Sequence, residues 1–244
     1  MKIEIKSIFG KVLFVHDSED NNIRKTLEQA IKSSADLRYS DLRSADLRYA
    51  NLRYVDLRYV DLSYSDLRSA DLRSANLSSA NLRYVDLSYS DLSYSDLSYS
   101  DLSSANLSYS NLRYVDLSYS DLSSANLSYS DLSYSDLSYS DLSSANLSYS
   151  NLSYSDLSYA DLSSANLSSA NLNSADLDKR YIQIGCIGSV KRITTYCFDD
   201  DIIWCGCFVG DLEQFERQVK ETHKDSQQYL KEYLGFINYI KSIV

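Results

Sequence analysis

Carboxylates at a regular spacing carry the most readily interpreted chemistry in this sequence. Every fifth residue from Asp36 to Asp176 is Asp or Asn, and residues 84–177 hold 12 Asp and one Arg, a net charge of −11. A dense row of carboxylates repels phosphate backbones and attracts basic protein surfaces. The pattern indicates electrostatic recognition of a basic partner or, more simply, polar residues that turn the chain and keep it in solution.

Cysteine and histidine are the other residues with reactive side chains. All four cysteines lie in the last quarter of the chain: Cys186, Cys197, Cys205 and Cys207. Their spacing is C-x-C and not the C-x₂-C of zinc sites, so we expect buried thiols and no metal. His16 and His223 lie in no catalytic motif, and a Cys–His dyad with His223 has no further sequence support. With no phosphate loop, nucleophile elbow or HExxH, the sequence predicts no enzyme and no cofactor.

A five-residue repeat must position the carboxylates. Leu occupies position 37 and every fifth position to 177, which makes 29 leucines without an exception. Ala, Ser or Val stands two residues before each Leu, and Asp or Asn stands directly before it. A period of five fits neither an α-helix nor a flat strand. We therefore expect short extended pieces separated by corners, with Asp or Asn bonding nearby backbone amides.

Longer text returns every 20 residues, because SSANLSYS at 103–110 recurs at 123–130 and 143–150. If four five-residue sides close one coil, each residue stacks on its copy 20 residues later. Asn106 then stacks on Asn126, and Tyr falls on three sides while Ser falls on the fourth. Duplication of a 20-residue block, by recent gene expansion or by engineering, is compatible with this coil.

Sorting the carboxylates by coil position places most of them on two adjacent sides. The candidate partner-binding strip consists of eight of them: Asp96, Asp101, Asp116, Asp121, Asp136, Asp141, Asp156 and Asp161. The net charge of residues 84–177 amounts to one per ~2 Å of rod at the strand spacing, close to the ~1.7 Å of duplex DNA. We favour the turn interpretation over DNA mimicry, because every unit needs a polar residue at this position.

Units such as SADLR, YANLR and SSANL, 29 in succession over residues 35–179, resemble the A(D/N)LXX units of the pentapeptide-repeat family. The resemblance implies a right-handed four-sided β-helix, here of about seven coils. It also implies that Leu and the small residue two before it point inward. We take seven leucines as representatives of this core: Leu37, Leu57, Leu77, Leu107, Leu127, Leu147 and Leu167. An inward Ser would need a backbone carbonyl partner. Some family members are DNA mimics that occupy the DNA site of topoisomerases such as gyrase.

The flanking segments read as caps, since an open β-helix exposes unpaired backbone at both ends. Residues 1–34 are predicted to form a hairpin around Gly10 and a helix over 20–33. Residues 180–244 are predicted to form an α+β domain with three strands, YIQIGCIG, ITTYCF and IIWCGCF. Two helices follow from Asp211 and Ser226. The closing helix would cap the rod or form a homodimer through its apolar side: Phe236, Tyr239, Ile240 and Ile243.

Composition limits the function further. The chain has a net charge of −10, no Pro and 23 Tyr, which disfavours nucleic-acid binding, anionic membranes and disorder. Without a signal peptide or membrane span, a cytoplasmic location is expected. The fold class is mainly β, and the preferred function is a non-enzymatic scaffold that binds an unknown protein partner. The alternative is a DNA mimic that modulates a DNA-binding enzyme such as gyrase.

Overall fold

The chain forms a β-helix in which each residue pairs with the residue 20 positions later. The computed structural model describes residues 1–178, 181–187, 192–205 and 208–243. Parallel bridges run from Asp41↔Asp61 to Asp156↔Asp176 with the same spacing. The backbone N–H of Leu107 donates to the carbonyl of Asn126 at 2.7 Å. Since 20 residues hold four five-residue units, each coil contains four units and four corners.

Each corner is a tight turn whose third residue is left-handed. The N–H of Ser110 donates to the carbonyl of Leu107 at 3.2 Å, which closes the turn, and Tyr109 between them has a φ of 59°. The residue two after each Leu, from Tyr39 to Ser174, has a φ between 54° and 62°. Type II turns require a positive φ at this position, usually from Gly or Asn. Here Tyr and Ser adopt it, which the sequence analysis did not anticipate.

Leucine fills the interior of the rod. Six of the seven representative leucines are at most 1% exposed, while Leu167, near the end of the repeats, is partly buried. Each inward Ser finds the backbone carbonyl that its burial requires, as Ser110 Oγ donates to the carbonyl of Leu107 at 2.6 Å. Among the described residues, Ser40 Oγ is buried without a partner.

An N-terminal hairpin and helix pack on the first coil. Strands β1 (Lys2–Ser7) and β2 (Val12–Asp17) are antiparallel, and helix α1 spans Ile23–Lys32. Strand β1 also pairs with β3 (Ser40–Asp41), which belongs to the repeats. Leu27 and Ala30 of α1 belong to the same hydrophobic cluster as Leu37, so the core of the rod continues into the N-terminal unit.

The C-terminal residues form a four-stranded antiparallel sheet and two helices. The strands are β4 (Tyr181–Ile187), β5 (Arg192–Cys197), β6 (Ile202–Cys205) and β7 (Phe208–Gly210), in sheet order β4-β5-β6-β7. Helices α2 (Leu212–Thr222) and α3 (Gln227–Ile243) follow. The sequence predicted one strand over 202–208, which is wrong because Cys205 pairs with Phe208 and the chain reverses between them. Gly206 in the sequence marks the break.

A second hydrophobic cluster, separate from that of the rod, holds the C-terminal sheet and helices together. Phe236 and Ile240 of α3 are buried in it, while Tyr239 and Ile243 are exposed. The apolar side of α3 that was expected to contact a second copy is therefore half used inside its own domain. No helix among the described residues is both long and apolar enough to cross a membrane.

Candidate partner-binding surface

The candidate carboxylates form two adjacent columns, a column being a set of residues 20 apart. Bridges connect Asp96↔Asp116 and Asp136↔Asp156 in one column and Asp101↔Asp121 in the other. We call the two columns together the acidic surface: Asp96, Asp101, Asp116, Asp121, Asp136, Asp141, Asp156 and Asp161. The structure thus brings together the residues that the sequence grouped.

Local hydrogen bonds fix each carboxylate of the acidic surface. Asp116 Oδ1 accepts from the backbone N–H of Ser118 at 3.0 Å and from its Oγ at 2.7 Å. Asp121 Oδ1 accepts from the N–H of Ser123 at 2.9 Å. These bonds show the turn chemistry expected of Asp. They use Oδ1 and leave Oδ2 of each carboxylate for other contacts, so the structural role of these residues does not exhaust their charge.

Arginine neutralises the carboxylates of the earlier coils. Arg38 donates to both oxygens of Asp36, and this bonding lowers the pKa of that carboxyl to about 2. The same arrangement with Arg48 lowers the pKa of Asp46 to about 2. On the acidic surface the described ion pairs include Asp101 with Arg83, at 3.7 Å. Negative charge therefore accumulates toward the later coils.

The two remaining sides of the later coils carry an amide ladder. Asn126 Nδ2 donates to Asn106 Oδ1 and Asn146 Nδ2 to Asn126 Oδ1, each at 3.3 Å. A ladder of neutral amides replaces like-charge contacts with hydrogen bonds. Asn therefore keeps these sides nearly neutral while Asp charges the other two.

Tyrosines at three of the four corners form stacked ladders. Ring centroids within a ladder lie 4.7–5.0 Å apart with interplanar angles of 1–12°. The first ladder is Tyr89, Tyr109, Tyr129 and Tyr149. The second ladder is Tyr94, Tyr114, Tyr134 and Tyr154. The third ladder is Tyr99, Tyr119, Tyr139 and Tyr159. The fourth corner carries Ser104 and its copies, so the surface differs from corner to corner.

A family model for pentapeptide repeats matches eight copies in this chain, at residues 33–63, 70–108, 86–123, 105–143 and 145–179. The matched residues make up more than half of the chain. The chain belongs to the pentapeptide-repeat family. The resemblance drawn from the A(D/N)LXX units is thereby confirmed, and so is the β-helix that it implies.

Several solved pentapeptide-repeat structures resemble this chain. Trypsin-treated QnrB1, a plasmid-mediated fluoroquinolone resistance protein, is 21% identical over 58% of this chain and 68% of its own, with a TM-score of 0.45. Rfr23 from the cyanobacterium Cyanothece 51142 is 33% identical over 38% of this chain and 60% of its own, with a TM-score of 0.31. HetL, involved in heterocyst differentiation regulation in Nostoc sp. strain PCC 7120, is 27% identical over 64% of this chain and 94% of its own, with a TM-score of 0.23. No curated protein sequence matches the chain.

The cysteines of this pentapeptide-repeat protein lie apart from the acidic surface. Cys197 is buried, which raises the pKa of its thiol, and Cys205 Sγ accepts from Thr194 Oγ1 at 3.1 Å. The side chain of Cys186 and all of Cys207 fall outside the described residues. The rings of His223 and Tyr233 stack at 5.2 Å, and Cys205 Sγ lies 3.9 Å from Tyr233 Oη. Within the described part of the chain, no three His, Cys, Asp or Glu side chains form a metal-binding group.

Proposed function

We propose that this pentapeptide-repeat protein is a non-enzymatic interaction protein that presents its β-helix to a macromolecular partner. One observation carries the proposal: charged columns and aromatic ladders occupy different sides of one rod, at a regular spacing. The interior offers no room for a substrate, because Leu107, Leu127 and their copies fill it. Recognition therefore depends on the outer surface, where Tyr is a favoured contact residue.

The chain outside the repeats is proposed to protect the ends of the rod. Strand β1 pairs with Ser40 and Asp41, and Leu27 extends the leucine core, which supports a capping role for residues 1–34. We propose a C-terminal cap at residues 180–244, with the repeats at 35–179 as the binding part. The partner is then expected to contact the repeats and not the caps.

The test is affinity capture from a bacterial lysate with the full chain and two variants. The first variant carries four Asp→Asn changes on the acidic surface: Asp116, Asp121, Asp136 and Asp141. The second carries the same number of changes among Arg-paired carboxylates of the earlier coils: Asp41, Asp46, Asp66 and Asp71. We expect one protein to be captured by the full chain and the second variant but lost by the first. Loss by both variants alike, or by neither, contradicts a partner that reads the acidic surface.

A second candidate is a DNA mimic that modulates a DNA-binding enzyme such as gyrase, and the acidic surface is the observation that favours it. Two columns with one carboxylate each per ~4.8 Å coil carry one charge per ~2.4 Å, against one per ~1.7 Å in duplex DNA. The neutralised earlier coils argue for a mimic confined to residues 84–177.

A gyrase supercoiling assay at graded salt tests the mimic. We expect inhibition or protection that weakens as salt rises and that competes with added duplex DNA, because both ligands would use the same basic channel. The four changes Asp116→Asn, Asp121→Asn, Asp136→Asn and Asp141→Asn should abolish the effect. An effect that survives these changes is incompatible with charge mimicry, although a scaffold that binds by other contacts would remain.

A further inference from the structure

The side of the rod between the second and third tyrosine ladders is a groove with aromatic walls and an anionic floor. Each coil contributes one Tyr of each ladder and one Asp between them, as in Tyr114, Asp116 and Tyr119. We call this side the acidic groove, and its floor is Asp96, Asp116, Asp136 and Asp156. Ser74 and Ser79 occupy the corresponding corners one coil earlier, so both walls begin at the same level of the rod.

The ladders present ring edges rather than ring faces. Neighbouring rings in the two walls lie 4.7–5.0 Å apart and within 12° of parallel, so each face is covered by the next ring. The rings are nevertheless 41–63% exposed, and that exposure belongs to their edges. Aromatic edges carry partial positive charge and pack best against the π-face of another ring. A flat aromatic molecule laid along the ladder satisfies this preference.

The floor selects for positive charge. The Asp column carries one carboxylate per coil, and its field reaches the walls. The pKa of Tyr139 is raised by partial desolvation and by its neighbours Tyr159, Tyr119, Asp178 and Asp156. A second copy of this chain does not fit, because two Asp columns would face each other. An arginine side chain fits poorly as well, since its preferred place is over a ring face, and the faces are already covered.

We propose that the acidic groove binds elongated planar aromatic cations that lie parallel to the axis of the rod. The four rungs of the second ladder span about 15 Å at the coil spacing, which sets the length of a ligand that contacts every rung. This binding is independent of the macromolecular partner and needs neither cap to take part.

The neighbouring side of the rod is a built-in comparison. The first and second ladders bound it, and its floor consists of Asn111, Asp131 and Asn151. Arg113 lies 3.9 Å from Asp131 and pairs with it. This side has similar walls but little net charge, so a planar aromatic cation should prefer the acidic groove.

The experiment is a titration of the full chain with thioflavin T, an elongated planar aromatic cation, followed by fluorescence and by equilibrium dialysis. The wall variant is Tyr119→Ser with Tyr139→Ser. Ser fills the same left-handed corners at Ser124 and Ser144, so the fold should be retained. We expect the wall variant to bind at least about tenfold more weakly, because two edge-to-face contacts are lost. The control, Tyr109→Ser with Tyr129→Ser in the first ladder, should change affinity by less than about twofold.

Two further arms separate the contributions of charge and shape. Asp116→Asn with Asp136→Asn should weaken binding several-fold at low salt, whereas Asp121→Asn with Asp141→Asn on the adjacent side should have a smaller effect. Spermine, a flexible cation without rings, should displace the dye only at concentrations that act through salt screening. Equal loss in both Tyr variants, or displacement by spermine at matched concentration, overturns the proposal and leaves the groove as a general cation surface.

Discussion

Arg68 connects two coils of the rod through Asp66 and Asp86. Its Nε and Nη2 donate to the two oxygens of Asp66 at 2.9 and 2.6 Å, and the same Nε lies 3.8 Å from Asp86 Oδ2, one coil further on. Other arginines of the earlier coils repeat the arrangement, as Arg73 does with Asp71 and Asp91. The earlier coils are therefore cross-linked by charge, while the later coils rely on serine and asparagine hydrogen bonds.

Replacing Arg68 by Ser should destabilise the protein slightly and in a salt-dependent way. Both partners are partly exposed, and such surface pairs are worth ~0–1 kcal/mol. Urea unfolding at low salt and at about 1 M salt, where the Debye length falls to about 3 Å, measures the difference. The effect should shrink at high salt. A loss of stability that is unchanged by salt would show that Arg68 acts by packing of its stem and not by charge.

Asp46 should make the stability of the rod depend on pH between about 4 and 2. Arg48 lowers the folded-state pKa of Asp46 from 3.8 to about 2, so the stabilising contribution is present above the unfolded pKa. It is lost as pH falls through the folded pKa, since the carboxyl then gains a proton in both states. Thermal unfolding of Asp46→Asn should show a shallower slope than the parent over this interval. An identical slope would mean that the pair is not formed in solution.

Replacing a stacked Asp by Asn should stabilise the later coils. Asp136 stacks between Asp116 and Asp156 without a neutral neighbour in its column, and like charges directly opposite each other are destabilising. An Asn there can form the amide bond seen from Asn126 to Asn106. Asp136→Asn is therefore expected to raise Tm, more so at low salt. The reverse change, Asn126→Asp, is the matched control and should lower Tm.

The inward positions should respond unequally to truncation. Leu127 is fully buried, and Leu127→Ala is expected to cost about 2–5 kcal/mol of unfolding free energy through lost burial and a cavity. Ser130→Ala should change stability by less than about 1 kcal/mol, because Ala occupies the same position at Ala125 and the carbonyl of Leu127 keeps its bond from the backbone N–H of residue 130. Denaturant titration of the two variants provides the comparison.

The corner residues should discriminate by backbone conformation. Tyr119 has a φ of 57°, a region that β-branched residues rarely enter. Tyr119→Val should therefore be more destabilising than Tyr119→Ser, by about 1–2 kcal/mol. Chemical denaturation of both variants tests this order, and equal losses would indicate that ring stacking, and not the corner, limits the substitution.

Much of the fold and of the acidic surface was predictable because the repeat states the same local instruction 29 times. The 20-residue text gave the pairing of Leu107 with the next coil, and sorting by coil position gave the two Asp columns. The third C-terminal strand and the free apolar side of α3 were predicted wrongly. There the chain lacks a repeat, and the partners of Cys205 and Phe236 are set by residues distant in sequence.

By itself the sequence determined the period, the inward residues and the alignment of charges, since these follow from hydrophobic spacing and from turn chemistry within one unit. Only the tertiary structure decided that tyrosines take left-handed corners and that their faces are covered by stacking. It also decided that two ladders enclose one Asp column. The physical reason is that ring contacts and groove walls arise between residues 20 apart, whose relative orientation no single unit specifies.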